Sequence, residues 1–299
     1  MRYLLLTIIM LLSLSSFSQE RVFLGRVIDK EKKDGIAYCI VKVKDRNEGV
    51  YTDENGRFSF TANPDSAKAF IISSLGYAKK EIPAVSFGRD SLVIELQKQN
   101  TNLKEVVITG ETGKVRRRTL GKKKLRHQSD CYQKYGEEVA VFLYADKINK
   151  NTLKEIFVYI TNEGVPDTKF RIHVYEKEPG TNLPGKELTD SNLIVHANTG
   201  NEWVKVNMAS KKISVSGGVF ISVEWIAGHG NSEQALTSRK HIDVTDHNGQ
   251  VLGLARNYGV PFMCHRSSFH TEWQGALEYG NMNPAYCPMI YGTYTYTKK

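Results

Sequence analysis

Helical stripes, catalytic signatures and cysteine are what this 299-residue chain has least of. No apolar run at the 3.6-residue period extends over about ten residues, which argues against helical bundles and alternating α/β folds. The patterns H-E-x-x-H, G-x-S-x-G, G-x-x-x-x-G-K-[ST] and G-x-G-x-x-G are all missing. Zincin, α/β-hydrolase, P-loop and dinucleotide-binding readings therefore have no motif behind them, and no cofactor is implied. Four cysteines (Cys39, Cys131, Cys264, Cys287) with no C-x-x-C pair are too few for a disulfide scaffold at this length. Cys39 lies in a strand pattern and is expected as a buried thiol, while a bridge between Cys264 and Cys287 stays open in an exported chain.

A long apolar run is lacking too. Leu4 to Leu14 is the most continuous one, and it falls well short of the roughly 20 residues a helix needs to cross a bilayer. With Arg2 before it and Ser16-Phe17-Ser18 placing small residues ahead of Gln19, residues 1–18 have the layout of a secretory signal peptide. The expectation is an exported chain with no transmembrane segment after the leader, resident in the periplasm, at the outer membrane or outside the cell.

Acid is scarce in one place only. The formal charge is +9, from 41 Lys+Arg against 32 Asp+Glu. Arg2 and an acid-free stretch of Lys114, Arg116, Arg117, Arg118, Lys122, Lys123, Lys124 and Arg126 account for all of the excess. The rest of the chain is balanced, so a broad basic face for nucleic acid is excluded. Like charges at this density disfavour compact packing, which makes the stretch a solvated linker or an edge segment. A sharper alternative is contact with anionic lipid or polysaccharide, where each cation near a negative surface contributes about 1 kcal/mol. Proteolytic processing at Arg116 to Arg118 is a third.

What is abundant is alternation. Val22–Ile28, Cys39–Lys44, Phe58–Phe60, Phe70–Ser73 and Leu92–Leu96 read as strands in the first half. Val139–Tyr144, Leu153–Ile160, Phe170–Tyr175, Leu193–His196, Trp203–Val206 and Val219–Trp225 do so in the second. The apolar run Ile156 to Ile160 suits a central strand, and Pro184-Gly185 and Gly217-Gly218 read as turns. Asn55-Gly56 is expected to close a tight hairpin. Asp53 and Glu54 belong to that turn, because Arg57 would set a positive charge beside any calcium ion. The fold class is all-β.

Four separated pieces carry a resemblance. Gly25-x-Val27-x-Asp29, Gly49-x-x-Thr52-Asp53-x-x-Gly56-x-Phe58, Ile72-Ser73-x-Leu75-Gly76-Tyr77 and Leu103-Lys104-Glu105-Val106-Val107-Ile108-Thr109-Gly110 resemble, in that order, the carboxypeptidase-regulatory-like domain of Bacteroidota envelope proteins. The resemblance implies a seven-stranded, transthyretin-like β-sandwich of the kind that precedes TonB-dependent receptors, with no catalytic role. It departs at Gly35-Ile36-Ala37-Tyr38, where the family has Pro-Ile followed by small residues. The second half is similar to the jelly-roll domains of secreted proteins. The expected organisation is a leader over 1–18, a regulatory-like sandwich over 19–110, a basic linker over 111–130 and a jelly-roll-like β-domain over 131–299.

Candidate chemistry is sparse. Cys264, His265, His270 and Cys287 have zinc-ligand types, yet adjacent strand residues face opposite ways, and no metal site is expected. His173 and His196 read as ordinary strand histidines. In the last third, Trp273, Tyr279, Asn281 and Tyr286 combine rings with amides, the composition of a sugar platform, in which a ring covers the apolar C–H face and polar groups orient hydroxyls. Tyr291, Tyr294 and Tyr296 fit a terminal strand filling the sandwich equally well. The basic candidates for surface contact are Arg116, Arg117, Arg118, Lys122, Lys123 and Lys124. The functional expectation is a non-enzymatic envelope protein binding a glycan or an outer-membrane protein. The alternatives are a structural accessory docked on a TonB-dependent transporter and a metal-assisted hydrolase.

Overall fold

The computed structural model describes residues 20–64, 66–88, 90–99, 114–132, 135–146, 151–226, 250–256, 263–267, 272–275 and 285–298. The expected leader and the piece from Leu103 to Gly110 lie outside the described residues. Nearly everything described is strand or the turn between strands.

Seven strands build the N-terminal half: β1 (Arg21–Asp29), β2 (Ile40–Val43), β3 (Gly49–Tyr51), β4 (Arg57–Ala62), β5 (Ala69–Ser73), β6 (Lys80–Pro83) and β7 (Leu92–Leu96). They form a three-stranded sheet, β4-β1-β7, and a four-stranded sheet, β3-β2-β5-β6. Alternation puts Phe23 and Val27 of one sheet against Val41, Phe70 and Ile72 of the other. Each such side chain contributes about 1.5–3 kcal/mol when fully buried. The rings of Phe23, Phe70 and Phe87 meet at centroid distances of 4.8 to 5.5 Å. Two residues of the resemblance motif come together here, since the Tyr77 hydroxyl donates to the buried Asp29 carboxylate at 2.8 Å.

Asn55-Gly56 does form a turn, but not a hairpin. The Asp53 carboxylate accepts the backbone N–H groups of Asn55 and Arg57, both at 2.8 Å. Gly56 sits at φ 77°, where an added Cβ would lie 2.2 Å from the Val27 carbonyl oxygen. The strands on either side, β3 and β4, pair with β2 and β1 and so lie in different sheets. The turn thus carries the chain across the sandwich, because the long β1 strand takes β4 as its partner along six residue pairs.

Fourteen strands follow: β8 (Lys114–Leu120), β9 (His127–Cys131), β10 (Glu137–Leu143), β11 (Asn151–Gly164), β12 (Phe170–Lys177), β13 (Pro184–Glu187), β14 (Leu193–Val195), β15 (Glu202–Asn207), β16 (Val219–Trp225), β17 (Gln250–Arg256), β18 (Met263–Ser267), β19 (Gln274–Gly275), β20 (Tyr286–Pro288) and β21 (Ile290–Lys298). One sheet runs β13-β12-β16-β10-β18-β19 with β14 on β12. The other runs β20-β17-β11-β21-β8 with β15 on β11 and β9 on β17. Between them lies a second core, in which Val139, Val141, Ile172 and Val223 face Ile156, Val158, Ile160 and Tyr294. Pro184-Gly185, expected as a turn, opens β13 instead; proline is tolerated there because a first strand residue need not donate to the ladder.

The basic stretch is sheet over much of its length. Lys114 to Leu120 pair with β21 from Lys298 to Gly292, so of linker and edge segment the structure shows an edge strand. Leu120 is fully buried and anchors it, while the residues from Lys114 to Thr119 are exposed. His127 to Cys131 then pair with β17.

Candidate binding face and the buried charge row

The β10 sheet has one face in the sandwich core and an outer face that is also covered. Register brings Arg171, Glu224, Glu138 and Arg266 into one row across β12, β16, β10 and β18. Two carboxylates directly opposite on neighbouring strands repel, and here each is flanked by an arginine. The Glu138 carboxylate, 0% exposed, accepts from Arg266 Nε at 2.7 Å, from the Tyr175 hydroxyl at 2.8 Å and from Ser222. The Glu224 carboxylate, 2% exposed, accepts from Arg171 Nη1 at 2.8 Å, from the Tyr51 hydroxyl at 2.7 Å and contacts His173 Nε2 at 3.0 Å.

His173 lies in the next row, its Nδ1 2.6 Å from the Glu187 carboxylate on β13. Burial pulls the imidazolium down, but the charges of Glu138 and Glu187 and hydrogen bonds to Glu187 and Glu224 outweigh it and hold the pKa at about 10. His173 is therefore charged at neutral pH. Burial would raise the Glu187 carboxyl, and the facing His173 charge brings it below the ordinary range instead. Arg171, Arg266 and His173 thus interleave with Glu224, Glu138 and Glu187 in one largely buried cluster.

This cluster also docks the N-terminal sandwich. Arg171 reaches across to donate to the Tyr38 carbonyl, and Tyr51 of β3 supplies the hydroxyl on Glu224. The Tyr51 N–H donates to the Tyr135 hydroxyl oxygen at 2.7 Å. Tyr38, Tyr51 and Ile226 form a small apolar core around these bonds. Tyr38 holds φ 54°, a left-handed conformation that costs a non-glycine residue about 1–2 kcal/mol. It closes the segment Gly35-Ile36-Ala37-Tyr38, where the sequence departs from the pattern of the resemblance, and its carbonyl is the one Arg171 binds.

Of the sugar-platform residues named from sequence, the two that are described, Trp273 and Tyr286, do not come together. Trp273 packs on the covered face of the β10 sheet, edge to face with Tyr175 at 5.6 Å and beneath the Arg266 guanidinium at 4.4 Å. Tyr286 belongs to β20 in the opposite sheet, and Tyr279 and Asn281 lie outside the described residues. Tyr294 fills the core and Tyr296 packs beside it, as a terminal strand requires. The metal-type residues are also apart. Cys264 sits among Ala140, Phe142 and Phe220, Cys287 is in the main core, and His270 is outside the described residues. All four cysteines are free buried thiols. Among the described residues no group of three or more His, Cys, Asp or Glu is placed to hold a metal.

The aromatic row stands elsewhere, on the outer face of the β11 sheet. Phe157 and Tyr159 point outward between the core residues Ile156, Val158 and Ile160. Tyr291 of β21 stacks on Phe157 at 4.5 Å and 7°, Trp203 of β15 meets Tyr291 at 5.0 Å and Tyr159 at 5.3 Å, and the His127 ring lies 5.8 Å from Tyr159. Phe157, Tyr159 and Trp203 stay partly open to solvent. Gly253 makes room for the row, since a Cβ there would come within 2.6 Å of the Tyr159 ring. Outer faces of antiparallel sheets are ordinarily polar, so four carbon-rich rings in contact on such a face are a surface feature that calls for an occupant. A fully apolar run such as Ile156 to Ile160 suggests a central strand covered on both faces, which hides the row in the sequence. Trp203, two residues from Lys205 in an alternating strand, was the available signal.

Beside the row, Glu155 accepts from Lys205 at 2.8 Å, Arg117 at 2.5 Å and the Thr293 hydroxyl at 2.8 Å. The Lys205 hydrogen bond is the largest influence holding the Glu155 carboxyl below its usual range, against a smaller opposing effect of burial. Of the basic residues named from sequence, Arg117 thus joins this face, and Arg118 pairs with Asp146 and covers the Tyr296 ring at 5.0 Å. Arg116 and Lys122 to Lys124 are exposed on and after β8.

Residues 23–108 match the family model of the CarboxypepD_reg-like domain, which assigns the N-terminal sandwich to that domain type. No curated protein matches the chain in sequence. Among solved structures, the chain is similar to the cysteine protease and lectin-like domains of Cwp84, a surface layer associated protein of Clostridium difficile. The identity is 10%, the match covers 94% of this chain and 64% of that one, and the TM-score is 0.35. A second structure of that clostridial protease, after propeptide cleavage, has 9% identity, coverage of 94% and 72%, and a TM-score of 0.40. Infectious bursal virus derived T=1 particles give 11%, 93% and 58%, and 0.28. The chain thus spans a little under two thirds of the first of these proteins.

Proposed function

We propose that the protein is an exported, non-enzymatic envelope protein whose C-terminal sandwich, of jelly-roll type, binds a glycan on the row Phe157, Tyr159, Trp203 and Tyr291. The observation that carries this reading is the run of touching rings on a sheet face, with Phe157, Tyr159 and Trp203 partly open and Tyr291 buried beneath them, bordered by Glu155, Lys205 and Thr293 as hydroxyl partners. The N-terminal sandwich orients that face through the buried charge row. In titrations of the purified mature chain against a panel of envelope glycans, Trp203→Ala should weaken binding at least about tenfold, or about 1.4 kcal/mol. A panel with no ligand at millimolar concentration, or a variant that binds like the parent chain, would overturn it.

A second reading, docking of the N-terminal sandwich on an outer-membrane transporter, is favoured by a different patch. Val22, Leu24 and Val93 are 51%, 40% and 58% exposed on the outer face of β1 and β7. A groove of about 580 Å³ lies along Leu24, Arg26, Arg57, Phe58 and Val93. Changing the three apolar residues to serine should abolish association with a purified transporter while leaving glycan binding intact. Association that survives the change would remove this reading.

A further inference from the structure

Resting on the glycan reading, one feature of the aromatic row narrows what it takes: its charge is lopsided. At the end next to β9, the His127 ring lies against the Asp130 carboxylate at 3.0 Å, so no unpaired cation stands there. At the end next to β8, a single carboxylate serves two cations. The side chain of Glu155 is 15% exposed, whereas Arg117 and Lys205 are 55% and 56% exposed. Each keeps N–H donors directed to solvent, because a guanidinium has five and an ammonium three. Lys205 Nζ stands 6.0 Å from the Phe157 ring centroid, so one of these surplus charges sits at the margin of the rings themselves.

The surplus continues past the row. β8 is the outermost strand of its sheet, and nothing pairs with its far edge among the described residues. Lys114 and Arg116 on that edge, with Lys123, Lys124 and Arg126 after it, form no ion pair among the described residues. Alternation puts Lys114 and Arg116 on the face of β8 that carries Leu120 and Arg118, opposite the rings, so of the β8 cations Arg117 is the one that joins the ring face. The surplus on the ring face, where Arg117 and Lys205 share Glu155, is matched by a ligand that carries negative charge.

We infer that the ligand is an acidic polysaccharide, with the apolar faces of its sugars on Trp203, Tyr159 and Phe157 and its carboxylates toward Lys205 and Arg117. An anionic membrane would need aliphatic or aromatic side chains protruding to insert. The rings of this row instead lie packed against each other, and Val115 is the one large aliphatic residue well exposed along β8.

The test uses the mature chain and three polyuronates, polygalacturonate, alginate and hyaluronate, each beside its carboxyl-reduced, neutral form, with phosphatidylglycerol vesicles as a further probe. At least one polyuronate should bind, lose about tenfold or more in affinity between 50 and 500 mM salt, and exceed its reduced form by about tenfold. Lys205→Gln and Arg117→Gln should each erase most of that preference, Trp203→Ala should weaken both forms together, and Lys44→Gln, an equal loss of charge on the N-terminal sandwich, should change nothing. Equal binding of acid and reduced forms would overturn the charge assignment and leave the glycan reading standing. If no form binds but vesicles do, and Arg116→Ser with Lys123→Ser and Lys124→Ser releases them, the basic edge is a membrane contact and the polysaccharide is excluded. Silence from all polysaccharides and vesicles would remove both this inference and the reading beneath it.

Discussion

Arg171, Glu224 and His173 show how a residue's role changes with what covers it. Phe170-Arg171-Ile172-His173 alternates apolar and polar, and the sequence supports only the conclusion that one face of β12 is polar. In the folded chain that face is dry. Removing one member of a buried ion pair leaves the other charge uncompensated, at a cost of about 3–5 kcal/mol. Arg171→Met should lower unfolding stability in urea by that order, and a loss under 1 kcal/mol would show the row to be hydrated. The pH dependence follows from His173, which faces Glu187, Glu224, Glu138 and the Tyr175 ring. Its pKa is raised on folding, from about 6.5 to about 10. Its stabilising contribution is therefore complete below about pH 6.5 and is lost as pH rises toward 10. Between pH 7 and 10, His173→Gln should show a flatter fall in stability than the parent chain, measured by denaturant midpoints at each pH. Parallel curves would contradict the assignment.

At the scale of elements, β8 is the instructive case. Eight cations without an acid resemble a solvated connector, and as a local pattern that inference was sound. What places the segment in a sheet is Leu120, fully buried in the main core, and the long β21 strand, which offers a free ladder of backbone groups. Arg117 and Arg118 then find Glu155 and Asp146, 38 and 28 residues away in sequence, which no local pattern reveals. Leu120→Ala should therefore cost about 2–5 kcal/mol in chemical denaturation, while Arg116→Ser and Lys123→Ser stay within about 0.5 kcal/mol. A Leu120 variant as stable as the parent would return the stretch to the status of a connector. Removing the whole segment would strip a strand from the sandwich, so charge replacement, and not deletion, separates its surface role from its structural one.

For the whole molecule, the contacts of Tyr38 and Tyr51 with Arg171, Glu224 and Tyr135 tie the two sandwiches together, and they should unfold as one unit. Inter-domain contacts within a chain are often polar and yielding. This one is built on the buried hydroxyl of Tyr51, the strained Tyr38 and a charge pair that neither domain could bury alone. Calorimetry of the mature chain should give a single transition, and Tyr51→Phe combined with Arg171→Met should divide it into two. Two transitions in the parent chain would mean that the sandwiches are independent.

Sequence by itself determined the all-β class, most of the long strands and the regulatory-like character of the N-terminal sandwich. The class and the strands rest on period-two alternation and turn residues, and the domain type on the resemblance of four short motifs, all of which are local. It also raised the idea of a ring platform but assigned it to Trp273, Tyr279, Asn281 and Tyr286. Only the tertiary structure decided that Trp273 lies over Tyr175 and Arg266, that Phe157, Tyr159, Trp203 and Tyr291 from three strands share one outer face, and that the polar face of β12 is sealed by another domain. Alternation states which residues share a face of a strand. Which strands lie side by side, and whether water or protein covers their common face, is set by pairings between residues far apart in the chain.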